Sequence, residues 1–242
     1  ADIVRFIDKD KSELDAPSED ERITPLMCAI MGGHAELVTW FVSMGCKSID
    51  ARTKDGMTAM HFAAKYGHTS IMRTLQQAGS TTINAMNDVG CTPMHLAAMA
   101  GYNCTLKYIA SVDPESMSTR TYAGYLPTHV AVENGNAVGL KFLLSKCEWT
   151  LDDNINQTVE TPMHVAARLN TGACMRVLLK RGSNAAMMVD VHGWTPMTYA
   201  LKQGNVLLVG TLAAKFEMYR RVLDRRFTGF IPGWERRGML HG

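Results

Sequence analysis

A short motif recurs along this chain with a period of 34 residues, and this period limits the folds that the chain can adopt. Its second position, proline or alanine, falls at residues 25, 59, 93, 127, 162 and 196, so one step is 35 residues and the others are 34. A fixed period of this length is typical of arrays of small helical or strand units. In such arrays each unit buries its apolar face against its neighbours, so stacking replaces a single globular core.

Each marked position of the motif has a physical role at a helix boundary. Threonine in first position, as at Thr58 and Thr92, is a preferred N-cap, and proline in second position suits the first turn of a helix. The small residues that follow, as in Ala63-Ala64, let neighbouring helices pack closely. A glycine then recurs that suits a left-handed helix end, at Gly33, Gly67, Gly101, Gly135 and Gly204. A second apolar segment with helical spacing follows each glycine, so the period predicts a pair of helices per repeat.

The motif resembles the ankyrin repeat, whose signature is T-P-L-H-x-A at a similar spacing. The resemblance covers six repeats over residues 23–216. It implies an all-α fold, an ankyrin-repeat solenoid of stacked helix-turn-helix units joined by β-turn or hairpin loops. Residues 1–22 are then a partial N-terminal capping repeat. Residues 217–242 are an extended closing helix followed by an aromatic and basic C-terminal tail.

Departures from the motif predict local irregularities. Leu126 replaces threonine in repeat four, so the hydroxyl cap is missing there. The longer step into repeat five, together with Val159 in place of a glycine, predicts an irregular loop over residues 150–160. Asn170 replaces the helix-end glycine of repeat five, and asparagine tolerates the same left-handed geometry.

Four histidines, His61, His95, His129 and His164, occur once per repeat. Stacked repeats would place them about 10 Å apart, which is too far for shared zinc ligation at about 2 Å per ligand. We therefore predict no metal site and expect these side chains to bridge the loops of adjacent repeats by hydrogen bonds, as the family resemblance also implies.

The sequence carries no motif for catalysis. It has no nucleophile elbow, no phosphate-binding loop and no dinucleotide fingerprint, so we predict no enzymatic activity and no cofactor. The six cysteines form no C-x-x-C pair, and we interpret them as small, mostly buried residues of an intracellular protein in a reducing compartment. Cytoplasm or nucleus fits best, with an organelle left open. No apolar run is long enough for a transmembrane segment, and a net charge of +2 does not argue for nucleic acid.

A stack of repeats offers an extended concave surface made of turn tips and the exposed sides of the first helices. Aromatic anchors and charges of both signs on that surface are suited to a protein partner. The predicted partner-binding residues are Arg52, Lys54, Lys65, Tyr66, Asp88, Met99, Tyr122, Tyr125, Glu133, Arg168, His192, Trp194 and Lys202. A second predicted docking set lies in the tail, at Arg225, Arg226, Phe230, Trp234, Arg236 and Arg237. The tail either folds back over the last repeat or docks on a partner.

These features favour a noncatalytic protein-protein interaction scaffold or adaptor, including a structural subunit of a large complex. The alternative is a regulatory or targeting ankyrin domain of a longer enzyme or channel. A third hypothesis is recruitment to nucleic acid through the arginines of the tail.

Overall fold

A computed structural model of the chain describes residues 14–155, 158–182, 184–214 and 217. Antiparallel pairs of short helices follow one another along the chain. The first helices of the pairs, called inner helices, are α1 (Pro25–Met31), α3 (Ala59–Lys65), α5 (Pro93–Ala100), α7 (Pro127–Glu133), α9 (Pro162–Arg168) and α11 (Pro196–Lys202). The second, called outer helices, are α2 (Ala35–Ser43), α4 (Thr69–Gln77), α6 (Asn103–Val112), α8 (Ala137–Lys146), α10 (Gly172–Lys180) and α12 (206–214). Short 3₁₀ turns follow the outer helices at Ser48–Asp50, Thr82–Asn84, Pro114–Ser118, Glu148–Leu151 and Ala185–Met187.

The helix boundaries lie where the motif predicts them. Thr24 Oγ1 accepts a bond from the Met27 amide at 3.3 Å, which caps the first turn of α1. The five recurring glycines after the inner helices have φ between 66° and 79°, the left-handed conformation that glycine adopts without steric penalty. Asn170 takes the same role with φ 57°. The predicted helix pairs are therefore confirmed.

Small side chains bring the inner helices of successive repeats together. Ala63, Ala64, Ala97 and Ala98 have no solvent exposure. The apolar side of each outer helix closes the core from the other side, as Leu75, Ile109 and Leu143 do. One continuous core thus runs along the stack instead of a single central core.

The prediction that the cysteines are mostly buried is wrong. Only Cys174 is buried, whereas Cys28 and Cys104 are exposed and the other three are partly exposed. Cys104 lies in the first turn of α6, on the side that no neighbouring helix covers. The six thiols are free, and no disulfide links the repeats.

The loop before α9 contains the extra residue of the 35-residue step. In the regular loops, a main-chain hydrogen bond closes the turn between residues four positions apart, as from the Thr121 amide to the Tyr125 carbonyl at 2.9 Å. Here it spans five, from the Ile155 amide to the Glu160 carbonyl at 2.9 Å. Val159 has φ 55°, a conformation that a β-branched residue adopts only under strain. The predicted irregularity is confirmed.

We expect Val159→Gly to raise the free energy of unfolding by about 1 kcal/mol, because removing the Cβ strain outweighs the entropy that glycine adds to the unfolded chain. Urea unfolding followed by circular dichroism measures the change. Val189→Gly is the matched control, since Val189 is also an exposed loop valine but has no positive φ. It should lower stability slightly, and an equal effect of both variants would contradict the strain at Val159.

Candidate functional site

The turn tips, defined here as the loops directly before the inner helices, are joined to one another by main-chain hydrogen bonds. An amide of one tip donates to a carbonyl of the preceding tip at 3.1–3.3 Å. These bonds run from Lys54 to Glu21, from Asp88 to Asp55, from Tyr122 to Val89 and from Val191 to Thr158. These bonds join tips one to four in one run and tip six to tip five.

Glycine is needed where two tips meet. Gly90 has φ 79°, and a Cβ on it would lie 2.5 Å from the Tyr122 amide nitrogen of the next tip. Gly56 has φ 73°, and a Cβ there would lie 3.0 Å from the Asp88 amide nitrogen. Main chain contacts main chain at these points, so any larger residue would push the tips apart.

The recurring histidines link each inner helix to the next tip, as predicted. His95 Nδ1 accepts from the Thr92 amide at 3.2 Å, and His95 Nε2 donates to the Tyr125 carbonyl at 3.1 Å. The same pattern holds at His61, His129 and His164. Since Nδ1 is an acceptor, the ring proton lies on Nε2.

Burial keeps these histidines neutral. Desolvation lowers the pKa of His61, His95 and His129 to about 4, although their carbonyl partners act in the opposite direction. In repeat four, the Leu126 amide still donates to His129 Nδ1 at 3.3 Å, so loss of the threonine hydroxyl leaves this link in place.

Aspartates form a second set of links between repeats, which was not predicted from the sequence. Asp50 accepts bonds from the Ser80 hydroxyl at 2.6 Å and from the Thr81 amide at 3.1 Å. Burial alone would raise the pKa of Asp50, but these hydrogen bonds lower it overall. Asp15 and Asp152 bind amides of the following repeat in the same way. Their spacing follows the repeat period, which is the signal that could have identified them.

Two arginines fix the tips rather than projecting freely. Arg52 Nη1 donates to the Gly56 carbonyl at 3.3 Å and to the Met86 carbonyl of the next repeat at 2.8 Å. Arg120, two repeats further on, binds the Gly124 and Asn154 carbonyls at 2.7 and 2.8 Å. Arg52 was predicted as a partner-binding residue, and its guanidinium is held within the stack.

An apolar groove of about 560 Å³ lies on the concave surface of repeats one to three. Its floor is apolar and consists of Ile23, Met57, Phe62, Leu96 and Met99. Its rim is charged and consists of Glu21, Asp55, Lys65 and Asp88. We call this the repeat 1–3 groove.

The groove brings together three of the predicted residues, Lys65, Asp88 and Met99. Of the floor residues, only Met99 is among the residues predicted from the sequence. Phe62 and Leu96 occupy equivalent positions of successive repeats, so the period could have identified them. Both are only 8% exposed.

The concave surface of repeats five and six is dominated by Trp194. Its half-buried ring packs edge-on against Tyr199 with centroids 5.2 Å apart, and Lys202 Nζ lies 4.7 Å from the ring centroid. Arg168 binds both carboxylate oxygens of Glu160 at 3.1 and 3.2 Å. Of the three predicted residues in this region, Arg168 is ion-paired with Glu160, whereas Trp194 and Lys202 make a cation–π contact with each other.

The remaining predicted residues are spread along the tips and inner helices. Tyr122 is 68% exposed, Tyr66 is 38% exposed, and Tyr125 is half-buried. Lys54, Glu133 and His192 are exposed. The tail residues Arg225, Arg226, Phe230, Trp234, Arg236 and Arg237 lie outside the described residues, as do residues 1–13 of the predicted capping repeat.

The predicted residues that lie together in the described part of the chain are those of the repeat 1–3 groove and those around Trp194. Within it, no three side chains among histidine, cysteine, aspartate and glutamate are grouped to hold a metal ion. No helix in the described ranges has the length and apolar character needed to cross a membrane. The concave groove, with an apolar floor and a charged rim, is suited to binding a protein.

Comparisons with known proteins agree with this architecture. A family model described as ankyrin repeats in three copies matches residues 2–87 and 128–221. The crystal structure of the ankyrin repeat domain of Bcl-3, described as a unique member of the IkappaB protein family, aligns with TM-score 0.67 and 23% identity over 82% of this chain and 86% of that one. The human ASB11 ankyrin repeat domain aligns with TM-score 0.68 and 22% identity over 79% of this chain and 83% of that one. No curated protein matches the sequence.

Identities this low establish the fold alone. The matched residues of the family model, however, span most of the chain. Ankyrin repeats are generally noncatalytic protein-protein interaction modules. The chain belongs to the ankyrin-repeat family.

Proposed function

We propose that this protein is a noncatalytic scaffold or adaptor that binds another protein on its concave surface, as a structural subunit of a larger assembly. The observation that carries this proposal is the repeat 1–3 groove, where an apolar floor lies exposed inside a charged rim. Exposed Met99 supplies an adaptable apolar contact there.

The rim indicates what kind of segment fits the groove. Glu21, Asp55 and Asp88 surround the apolar floor, and Lys65 is the one cation among the described residues that line it. A partner segment with an apolar anchor flanked by basic residues would match both the floor and the rim. The exposed Tyr122, two tips beyond Asp55, extends the same surface.

The test compares two methionine variants in a quantitative pull-down from native extract. Met99→Lys places a charge in the groove, whereas Met187→Lys places the same charge on a methionine that is equally exposed, at 46% against 44%, but lies outside the groove. Met99→Lys should reduce recovery of the partner about tenfold or more, because a lysine head would be desolvated in the interface. Equal recovery with both variants would contradict binding in the groove.

The basic, aromatic tail is proposed as a second contact with the assembly. Neutralising Arg225, Arg226, Arg236 and Arg237 together should weaken association without changing the thermal stability of the repeats. If the chain instead binds RNA, with an affinity that falls steeply with salt and is lost when these arginines are neutralised, nucleic acid recruitment would be favoured. An intracellular, reducing compartment is proposed because all six thiols are unpaired.

A further inference from the structure

The outer helices carry a cation at the same position in four consecutive repeats. The fifth residue of α4, α6, α8 and α10 is Arg73, Lys107, Lys141 and Arg176, respectively. All four are exposed, and they follow the steps of the repeat at 34, 34 and 35 residues. Since neighbouring packed helices lie about 10 Å apart, the four side chains form a row about 30 Å long, called here the cation row.

The cation row has no acidic counterpart on its own helices. The segments α4, α6, α8 and α10 contain neither aspartate nor glutamate. The ion pairs among the described residues are Arg120–Asp153 and Arg168–Glu160, and neither involves the row. Arg73 lies 4.6 Å from the centroid of the Tyr108 ring, a contact that orients the guanidinium without neutralising it. The charge of the row is therefore available to a partner.

The surface beside the cations is formed by short side chains that project little from the helices. One turn before each cation stands an exposed, uncharged and small or medium side chain: Ser70, Cys104, Val138 and Ala173. Side chains of this size allow another helix to approach closely, because helix separation depends on the residues at the contact.

An apolar pocket of about 530 Å³ opens beside Lys107, between α6 and α8. Its floor consists of Ala110, Pro114, Met117 and Phe142, and Lys146 stands at its other side. We call it the outer pocket. An apolar side chain with an acidic neighbour would match the floor and the two lysines together.

From these observations we propose that the outer face of repeats two to five binds an acidic α-helix of a partner protein, laid along the cation row. An α-helix rises 1.5 Å per residue, so carboxylates at every seventh position recur about every 10.5 Å. This interval matches the spacing of about 10 Å between the outer helices. One apolar side chain of the partner helix enters the outer pocket.

A nucleic acid matches this face less well. A DNA strand carries a phosphate every 3.4 Å or so, which would place roughly nine phosphates opposite four cations. A phosphate backbone also has no group for the apolar floor of the outer pocket. The spacing and the pocket together favour a protein helix.

The test uses a fluorescent helical peptide of four heptads, with one glutamate per heptad and a leucine between the second and third glutamates. Fluorescence anisotropy at low salt measures its affinity for the full chain. Replacing the row by glutamine (Arg73→Gln, Lys107→Gln, Lys141→Gln and Arg176→Gln) should weaken binding about tenfold or more, since each exposed ion pair contributes modestly and four act together.

The matched control removes four exposed cations that lie outside the cation row: Lys47→Gln, Lys54→Gln, Lys65→Gln and Lys202→Gln. It changes the net charge equally and should leave peptide affinity within about twofold. A peptide with glutamine for glutamate should not bind, and leucine to serine in the peptide should weaken binding. Hydrogen exchange should slow in α6 and α8 on binding.

Three results would overturn the proposal. The first is that the wild-type chain fails to bind the glutamate peptide. The second is that the two quadruple variants lose the same amount of peptide affinity. The third is that the chain binds duplex DNA or phosphatidylserine vesicles more tightly than the peptide, in a way that depends on the cation row. Met99→Lys should leave peptide binding unchanged. The outer-face interaction and the concave interaction can therefore fail independently.

Discussion

The free energy of unfolding is expected to fall by about 6 kcal/mol between pH 7.5 and pH 5, because three buried histidines must stay neutral in the folded state. His61, His95 and His129 have pKa values of about 4 in the folded protein, against an ordinary histidine pKa of 6.5. Between these two values the unfolded chain binds more protons than the folded one. Stability is therefore fully present above pH 6.5 and is lost as the pH falls towards 4, by about 2 kcal/mol per histidine at pH 5.

Such a loss is large beside the roughly 5–15 kcal/mol that stabilises an ordinary domain, so the protein should unfold in mild acid. Urea unfolding at several pH values gives the slope of stability against pH. His95→Thr, which places at this position the threonine found in repeat six, should be less stable at pH 7.5. It should reduce the part of the slope that comes from His61, His95 and His129 by about one third.

Met187→Thr is the matched control, since Met187 is exposed and carries no titratable group. It should leave the slope unchanged. A stability that is flat between pH 5 and 6.5 would contradict the neutral, singly protonated state inferred from the hydrogen bonds. Asp50 affects stability in a different pH range. Because its pKa is lowered in the folded protein, its stabilising contribution is present above the ordinary pKa of 3.8 and is lost only as the pH falls below that value.

Gly90→Ala is expected to lower the free energy of unfolding by about 3 kcal/mol, since it adds the left-handed backbone penalty to a displacement of the next tip. Its Cβ would lie 2.5 Å from the Tyr122 amide nitrogen, and main chain cannot rotate away as a side chain can. Gly193→Ala is the matched control, with φ 73° and no atom within 4 Å of the added Cβ. It should cost about 1 kcal/mol.

The two variants should also differ in cooperativity. Gly90 and Tyr122 belong to the tips of repeats three and four, so Gly90→Ala weakens one interface in the middle of the stack. Stability of repeat arrays depends on such nearest-neighbour interfaces. Chemical unfolding of Gly90→Ala should therefore broaden or separate into two steps, with Gly193→Ala remaining a single step. Equal stability losses and one shared transition would contradict the close contact.

The helix pairs and the histidine links could be predicted because they depend on residue type and period alone. A threonine, a histidine and a glycine at fixed offsets impose the same local geometry in every repeat, and stacking does the rest. The strained Val159 was predictable for the same reason, since it occupies a glycine position.

The concave site was predicted only in part because the period does not say how far a side chain projects. Arg52 and Lys65 both sit at exposed positions, yet Arg52 is bound to main-chain carbonyls and Lys65 lies on the groove rim. Phe62 and Leu96 are almost fully buried, yet both line the floor of the groove. Whether a side chain reaches the concave surface depends on how far the neighbouring side chains project, which only the three-dimensional structure shows.

The main-chain bonds that join tip to tip have a thermodynamic consequence for recognition. Loops usually lose conformational freedom when a ligand binds them, and that loss weakens affinity. Here the Asp88 amide is already bound to Asp55, and the Tyr122 amide to Val89, before any ligand arrives. A ligand at these tips would meet a preorganised surface, so its association should proceed with little ordering entropy and little change of backbone shape.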